Sequence, residues 1–181
     1  MSQQVCAIVP LKAHSERIPR KNFREFNGQP LFCWILYALD NVKEIETILI
    51  DTDSSKVARS VSNLIDCTVV DRPEHLQGDR VAMNDILLYD VEQVNADYYL
   101  QTHCTNPLLQ PGTISEALKS FLDAPDHNSL FSVTPMQTRL WDEQTEPINH
   151  ERDRLLPTQE LPMVYEENSN LYIFSQDSLE R

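Results

Sequence analysis

Val5-Cys6-Ala7-Ile8-Val9-Pro10-Leu11-Lys12-Ala13-His14-Ser15-Glu16-Arg17-Ile18-Pro19-Arg20-Lys21-Asn22 runs from an unbroken apolar stretch into a cluster of cations. The apolar residues Val5 to Val9 show no polar alternation, which predicts a strand covered on both faces, the condition of a parallel sheet with helices packed against it. Working outward, the same unit recurs. Short runs that read as strands lie near 5 to 9, 46 to 51, 67 to 71, 97 to 103 and 129 to 134, with another near 170 to 174. Segments of helical period fill the gaps, and strands alternating with helices give an α/β fold, a doubly wound, Rossmann-like, mostly parallel sheet with helices on both faces.

The helices have legible ends. One near 30 to 42 carries Leu31, Trp34, Ile35, Ala38, Leu39 and Val42 on one face, with Pro30 placed as its first residue. A second, from about 54 to 65, takes Asp53 or Ser54 as its cap, and a third, from about 80 to 94, presents Ile86, Leu87, Val91 and Val94. A fourth begins near Pro111, where Thr113 and Glu116 have capping-box spacing. Residues 136 to 168 break this rhythm with Pro147, Pro157 and Pro162 and many charges, and read as an inserted lobe. The expected organisation is a single domain over 1 to 181 with that lobe inside it.

Composition narrows the function. The chain of 181 residues carries a formal net charge of −13, a field that repels nucleic acid and anionic membrane surfaces as main partners. Yet five of its 15 Lys and Arg residues, Lys12, Arg17, Arg20, Lys21 and Arg24, fall just after the first strand. Any anion is therefore caught locally. No apolar run is long enough to span a bilayer, and the four cysteines contain no C-x-x-C pair, which points to a reduced, cytoplasmic protein.

In a doubly wound sheet, ligands bind beyond the carboxyl ends of the strands where strand order reverses. For an order 3-2-1-4 that crevice lies between the loop 10 to 22 and the loop His103-Cys104-Thr105-Asn106-Pro107. With only Gly28, Gly78 and Gly112 in the chain, neither a Walker A loop nor G-x-G-x-x-G is present, so cationic side chains have to replace a glycine nest around phosphate. A solvated basic surface loop is the plainer reading of the same residues. Cys104 lacks the Arg six positions on that a cysteine phosphatase needs, since residue 110 is Gln, and reads as a packing residue. His103 points at the crevice, as a ligand contact or as a structural histidine. Asp51 and Asp53 end the second strand beside it, as helix caps or as ligand or metal positioners; Arg72, Asp79 and Arg80 follow the third. Asn168 is either a turn residue or a contact for a polyhydroxylated ligand.

Several separate segments resemble the acylneuraminate cytidylyltransferases, or CMP-sialic acid synthetases, across essentially the whole chain. They are Ser15-x-Arg17-x-Pro19-x-Lys21-Asn22, Asn27-Gly28-x-Pro30-Leu31, Thr52-Asp53, Arg72-Pro73, Asp79, Thr105-Asn106-Pro107 and Glu167-Asn168-Ser169. The resemblance implies transfer of CMP from CTP to the anomeric hydroxyl of a nine-carbon 2-keto sugar acid, with release of pyrophosphate and with Mg2+ as cofactor. It implies Lys21 and Arg17 as catalytic, Lys12, Ser15, Asn22, Arg72 and Asp79 as nucleotide-binding, and His103, Asn106, Glu166 and Asn168 as sugar-binding residues, in a homodimer. Lys12 stands where the family usually has Arg, which keeps the charge on phosphate but loses bidentate geometry. His103 stands where sialic acid synthetases usually carry Gln, and Glu166 near where some have a basic residue for the sugar, so a related nonulosonic acid is open beside sialic acid. Kdo cytidylyltransferases share the Ser-x-Arg-x-Pro-x-Lys loop. Members of the family continue past the strand near 170 to 174 to closely spaced aspartates that bind Mg2+, whereas this sequence stops at Arg181. The resemblance therefore implies a shortened family domain, for which binding without turnover is an alternative.

Overall fold

The computed structural model describes residues 3–12 and 18–181. In it the apolar run becomes β1 (Val5–Pro10), with Val5 to Val9 all buried. Successive strand side chains point to opposite faces, so Val5, Ala7 and Val9 enter one apolar cluster while Cys6 and Ile8 enter another. The two clusters are the two faces of one sheet. β1 pairs in parallel with β4 (Thr47–Thr52) on one side and β6 (Tyr98–Thr102) on the other, and β4 pairs in parallel with β5 (Thr68–Asp71). β8 (Val164–Phe174) lies antiparallel to β6, and β7 (Ser129–Met136) completes the order β5-β4-β1-β6-β8-β7. The expected order 3-2-1-4 is present as β5-β4-β1-β6.

A short hairpin of β2 (Glu25–Phe26) and β3 (Gln29–Pro30) turns through Asn27 and Gly28, both with positive φ, where glycine costs no Cβ clash. α1 (Leu31–Asp40) follows at once, with Ile35, Leu36 and Leu39 fully buried. Together with α2 (Ser55–Ser62) and α4 (Pro111–Leu122) it fills the cluster against Val5, Ala7 and Val9. α3 (Met83–Val91) covers the other face through Leu87 and Val91, beside Tyr99 and Phe174. Truncating Leu39 to alanine would cost about 2–5 kcal/mol through lost burial and the cavity left behind.

Two local expectations are corrected. Pro30 caps α1 from outside, in the extended conformation, and Leu31 is the first helical residue. Thr113 lies inside α4, whose cap is Gln110 with no side-chain bond, because Pro111 already starts the helix. Thr113 and Glu116 therefore form no capping box. At α2 the cap is Ser54, whose hydroxyl accepts from the Val57 amide at 3.4 Å, which leaves Asp51 for another task.

The chain divides into two compact units, Met1–Phe131 with Asn170–Arg181, and Ser132–Ser169. The second unit has its own bonding. The Gln137 amide donates to the carbonyls of Gln159 and Leu161 at 3.0 Å each, and the Trp141 ring meets His150 edge-on at 4.7 Å. α5 (Gln176–Leu179) closes the described chain, with Ser175 and Ser178 forming its capping box.

Candidate active site

Helix connections cross to opposite faces on either side of β1, so a crevice opens beyond the carboxyl ends of β1 and β6. A cavity of about 270 Å3 occupies it, lined among others by Lys12, Lys21, Asn22, Arg72, Asp79, His103 and Thr105. α3 closes one wall with Met83 and Ile86.

The floor is an ion pair. Arg72 follows β5, and its Nε donates to Asp51 Oδ2 at 2.6 Å while Nη2 lies 2.5 Å from the same oxygen. Asp51 is fully buried and Arg72 nearly so. The arginine backbone is pinned as well: its amide donates to the Thr52 carbonyl at 2.9 Å and its carbonyl accepts from Gln77 Nε2 at 2.8 Å. Burial still holds the Asp51 carboxyl above its ordinary range, outweighing the pull of Arg72 in the other direction. Behind this pair lies Asp90 of α3, wholly buried and with neither carboxyl oxygen hydrogen-bonded to the described residues. Burial, and then the charge of Asp51, push Asp90 up to about 8, with Arg72 opposing, so it is neutral near pH 7.

The rim is built differently. Lys12 Nζ pairs with Asp79 across the mouth, with both side chains partly exposed. The Lys12 carbonyl accepts from Asn22 Nδ2 at 2.9 Å. Asn22 is buried, and its Oδ1 has no partner among the described residues. Lys21 opens the 3-10 turn Lys21–Phe23, entered through Arg20 in the left-handed region at φ 55°. His103 follows β6, with Gln101 Nε2 at 3.1 Å from its Nε2 and 3.4 Å from its Nδ1. Burial first, and the Lys21 charge second, hold the imidazole below its ordinary pKa. Cys104 is buried and pushed up to about 11, an unreactive thiol, in keeping with a packing role.

The cavity thus gathers Lys12, Lys21, Asn22, Arg72, Asp79 and His103. Asn106 stands in a neighbouring hollow of about 400 Å3 with Phe26, Leu108 and Asn170, and its amide donates to the Asn170 carbonyl at 3.1 Å. Thr105 borders both hollows. Ser15 and Arg17 lie outside the described residues. Glu166 and Asn168 belong to the second unit, both in β8. Asn168 is a strand residue, which corrects the turn alternative; its Oδ1 accepts from Ser132 at 2.6 Å and its Nδ2 donates to Thr134 at 3.1 Å. Nothing in the sequence marks Asp90 or Met83 for the cleft, and Ile86 reads there only as a packing residue. Gln101 is not singled out either, although period-two alternation places it and His103 on one face.

A divalent cation finds little here. Asp51 is committed to Arg72 and Asp79 to Lys12, and among the described residues no three His, Cys, Asp or Glu side chains converge on a common point. These residues do not fit a Mg2+ site, and no step below runs through one. No helix among the described residues is long and apolar enough to cross a membrane.

Comparison with known proteins bears on the family. The family model described as cytidylyltransferase matches residues 6–180. Relatives include an N-acylneuraminate cytidylyltransferase of Oncorhynchus mykiss, 24% identical across 99% of this chain and 43% of that protein. Another is a 3-deoxy-manno-octulosonate cytidylyltransferase of Acidobacterium capsulatum, 26% identical across 66% of this chain and 47% of that protein. The chain spans less than half the length of these two relatives. Among solved structures, a CMP:2-keto-3-deoxy-manno-octonic acid synthetase complexed with CTP superposes with a TM-score of 0.75 over 98% of this chain and 76% of that one, at 15% identity, a likeness of fold. With a match running almost from end to end over a Rossmann-like sheet, the chain belongs to the cytidylyltransferase family.

Proposed function

We propose that the cleft binds CTP and transfers CMP to the anomeric hydroxyl of a 2-keto sugar acid, a nine-carbon nonulosonic acid such as sialic acid, with pyrophosphate leaving. One observation carries the reading: in a chain of net charge −13, Lys12, Lys21 and Arg72 converge on one cavity at the strand ends of a cytidylyltransferase fold. Cations so placed neutralise charge that grows on the phosphates as the α-phosphorus is attacked, the largest contribution a site can make to such a displacement. Arg17 of the same loop joins Lys21 in this role, and Ser15 lies between them and Lys12 in the chain. The buried Oδ1 of Asn22, without a partner among the described residues, suits the exocyclic amine of a cytosine, a donor that would relieve its desolvation. His103 and Asn106 receive the sugar acid. Mg2+ accompanies CTP as the counter-ion of its phosphates, and the enzyme works in the cytoplasm as a homodimer.

Relatives of this chain include both N-acylneuraminate and 3-deoxy-manno-octulosonate cytidylyltransferases, so the acid has to be found by assay. A screen of CTP-dependent pyrophosphate release across nonulosonic acids and 3-deoxy-manno-octulosonate tests the reading. Turnover with a nine-carbon acid is expected, and its loss in Lys21→Ala. Release with the octulosonate alone would overturn the assignment of acid. Binding of CTP without release of pyrophosphate for any acid would reduce the protein to a binding module.

A further inference from the structure

The attacking hydroxyl has to lose a proton, and few of the described groups on the cleft can take it. Lys12, Lys21 and Arg72 are donors without an acceptor atom in their charged forms. Asp79 is tied to Lys12, and Asp51 is tied to Arg72 beneath the surface. The Cys104 thiol is buried, and Asn22 and Thr105 do not take up protons near neutral pH. From α3 only Met83 and Ile86 face the cavity, and neither titrates. Among the described residues His103 is left, lining the same cavity as Lys21 and with a ring nitrogen able to hold a lone pair.

We infer that the imidazole of His103 is the general base for the nucleophilic hydroxyl, an assignment that rests on the cytidylyl-transfer reading above. The anomeric oxygen forms a bond to the α-phosphorus of CTP. The bond from that phosphorus to the oxygen bridging to the β-phosphate breaks, and its electron pair leaves with pyrophosphate. The hydroxyl proton passes to a ring nitrogen of His103, giving imidazolium, which then releases it to solvent.

The surroundings favour this direction of transfer. Gln101 Nε2, which can only donate, faces the ring nitrogens at 3.1 and 3.4 Å and so favours the neutral ring over one with hydrogen on both nitrogens. The substrate hydroxyl takes over from that amide as the donor to the ring. Burial and Lys21 disfavour the imidazolium in the resting cleft, so the base is free at neutral pH. The same two causes return the proton once pyrophosphate has left.

The test is the pH dependence of turnover in the wild type and in His103→Gln, using CTP and the acid found by the screen. Because the base must be unprotonated, wild-type kcat/KM should fall on an acid limb below pH ~6.5, the ordinary histidine value. The variant is expected to lose about 10²–10⁴-fold in kcat, with KM for CTP nearly unchanged and the acid limb gone. Unchanged kcat, a surviving acid limb, or a loss confined to KM would overturn the assignment and make His103 a sugar contact alone. If the variant fails to fold, as judged by thermal protection with CTP, the wild type decides: its acid limb must coincide with the His103 titration followed by NMR in the CTP complex, and a mismatch overturns the base. A wild type that releases no pyrophosphate with any acid overturns the cytidylyl-transfer reading itself, and the base with it.

Discussion

Arg72 and Asp51 meet on the floor of the cleft with 3% and 0% of their side chains exposed, while Lys12 and Asp79 meet at its rim with 36% and 33% exposed. Both are pairs of one cation and one carboxylate, yet their surroundings give them opposite uses. On the floor neither charge can be rehydrated, so removing one strands the other, and the pair acts as a fixed mount for a guanidinium. At the rim, water and salt screen the attraction, and Lys12 can reach a triphosphate while it stays paired with Asp79. Position comes from the buried pair and contact with the ligand from the exposed one.

The comparison breaks most visibly at Arg72. Arg72→Met leaves Asp51 buried without its cation and is expected to destabilise the fold by about 3–5 kcal/mol, measured by urea denaturation. A loss below about 1 kcal/mol would mean that the floor pair is no mount.

Asp90 sharpens the same point through pH. Its pKa rises from the ordinary value near 3.8 to about 8 in the fold, so between those values the folded chain keeps a proton that the unfolded chain has lost. The sign follows: stability from this group is full below pH ~4 and is lost as pH rises through about 8. Asp90→Asn should therefore gain on the wild type with rising pH, by on the order of 4 kcal/mol at pH 9 relative to pH 5. Parallel stability curves for the two proteins would contradict this.

At the rim the effects on the fold are small. Lys12→Ala and Asp79→Ala should each change stability by less than about 1 kcal/mol. Lys12→Ala should nonetheless weaken CTP binding about tenfold in calorimetry, with a shallower salt dependence.

How much of this could be read beforehand depends on which force acts locally. The strands β1 and β4 were legible because a buried parallel strand writes itself as an apolar run, as in Val5 to Val9 and Ile48 to Ile50. The crevice followed from strand order. The floor pair did not, because Asp51 and Arg72 are 21 residues apart and only the register of β4 on β5 brings them together. Asp51 instead looked like a cap, the task that Ser54 performs. Asp90 was hidden for a related reason, since a carboxylate on an otherwise amphipathic helix reads as surface until the packing of α3 is known. The box at Thr113 and Glu116 failed because Pro111 sets the helix start two residues earlier. Local signals competed there, and the proline won.

Release of pyrophosphate from CTP, compared between the wild type and Lys21→Ala across the panel of 2-keto sugar acids, tests the central claim most directly. Turnover with a nine-carbon acid that falls at least about 10²-fold in the variant, while the fold stays intact, is the predicted result. Equal turnover in the two proteins, or none in the wild type with any acid, would contradict a cationic cleft that works by neutralising the phosphates of CTP.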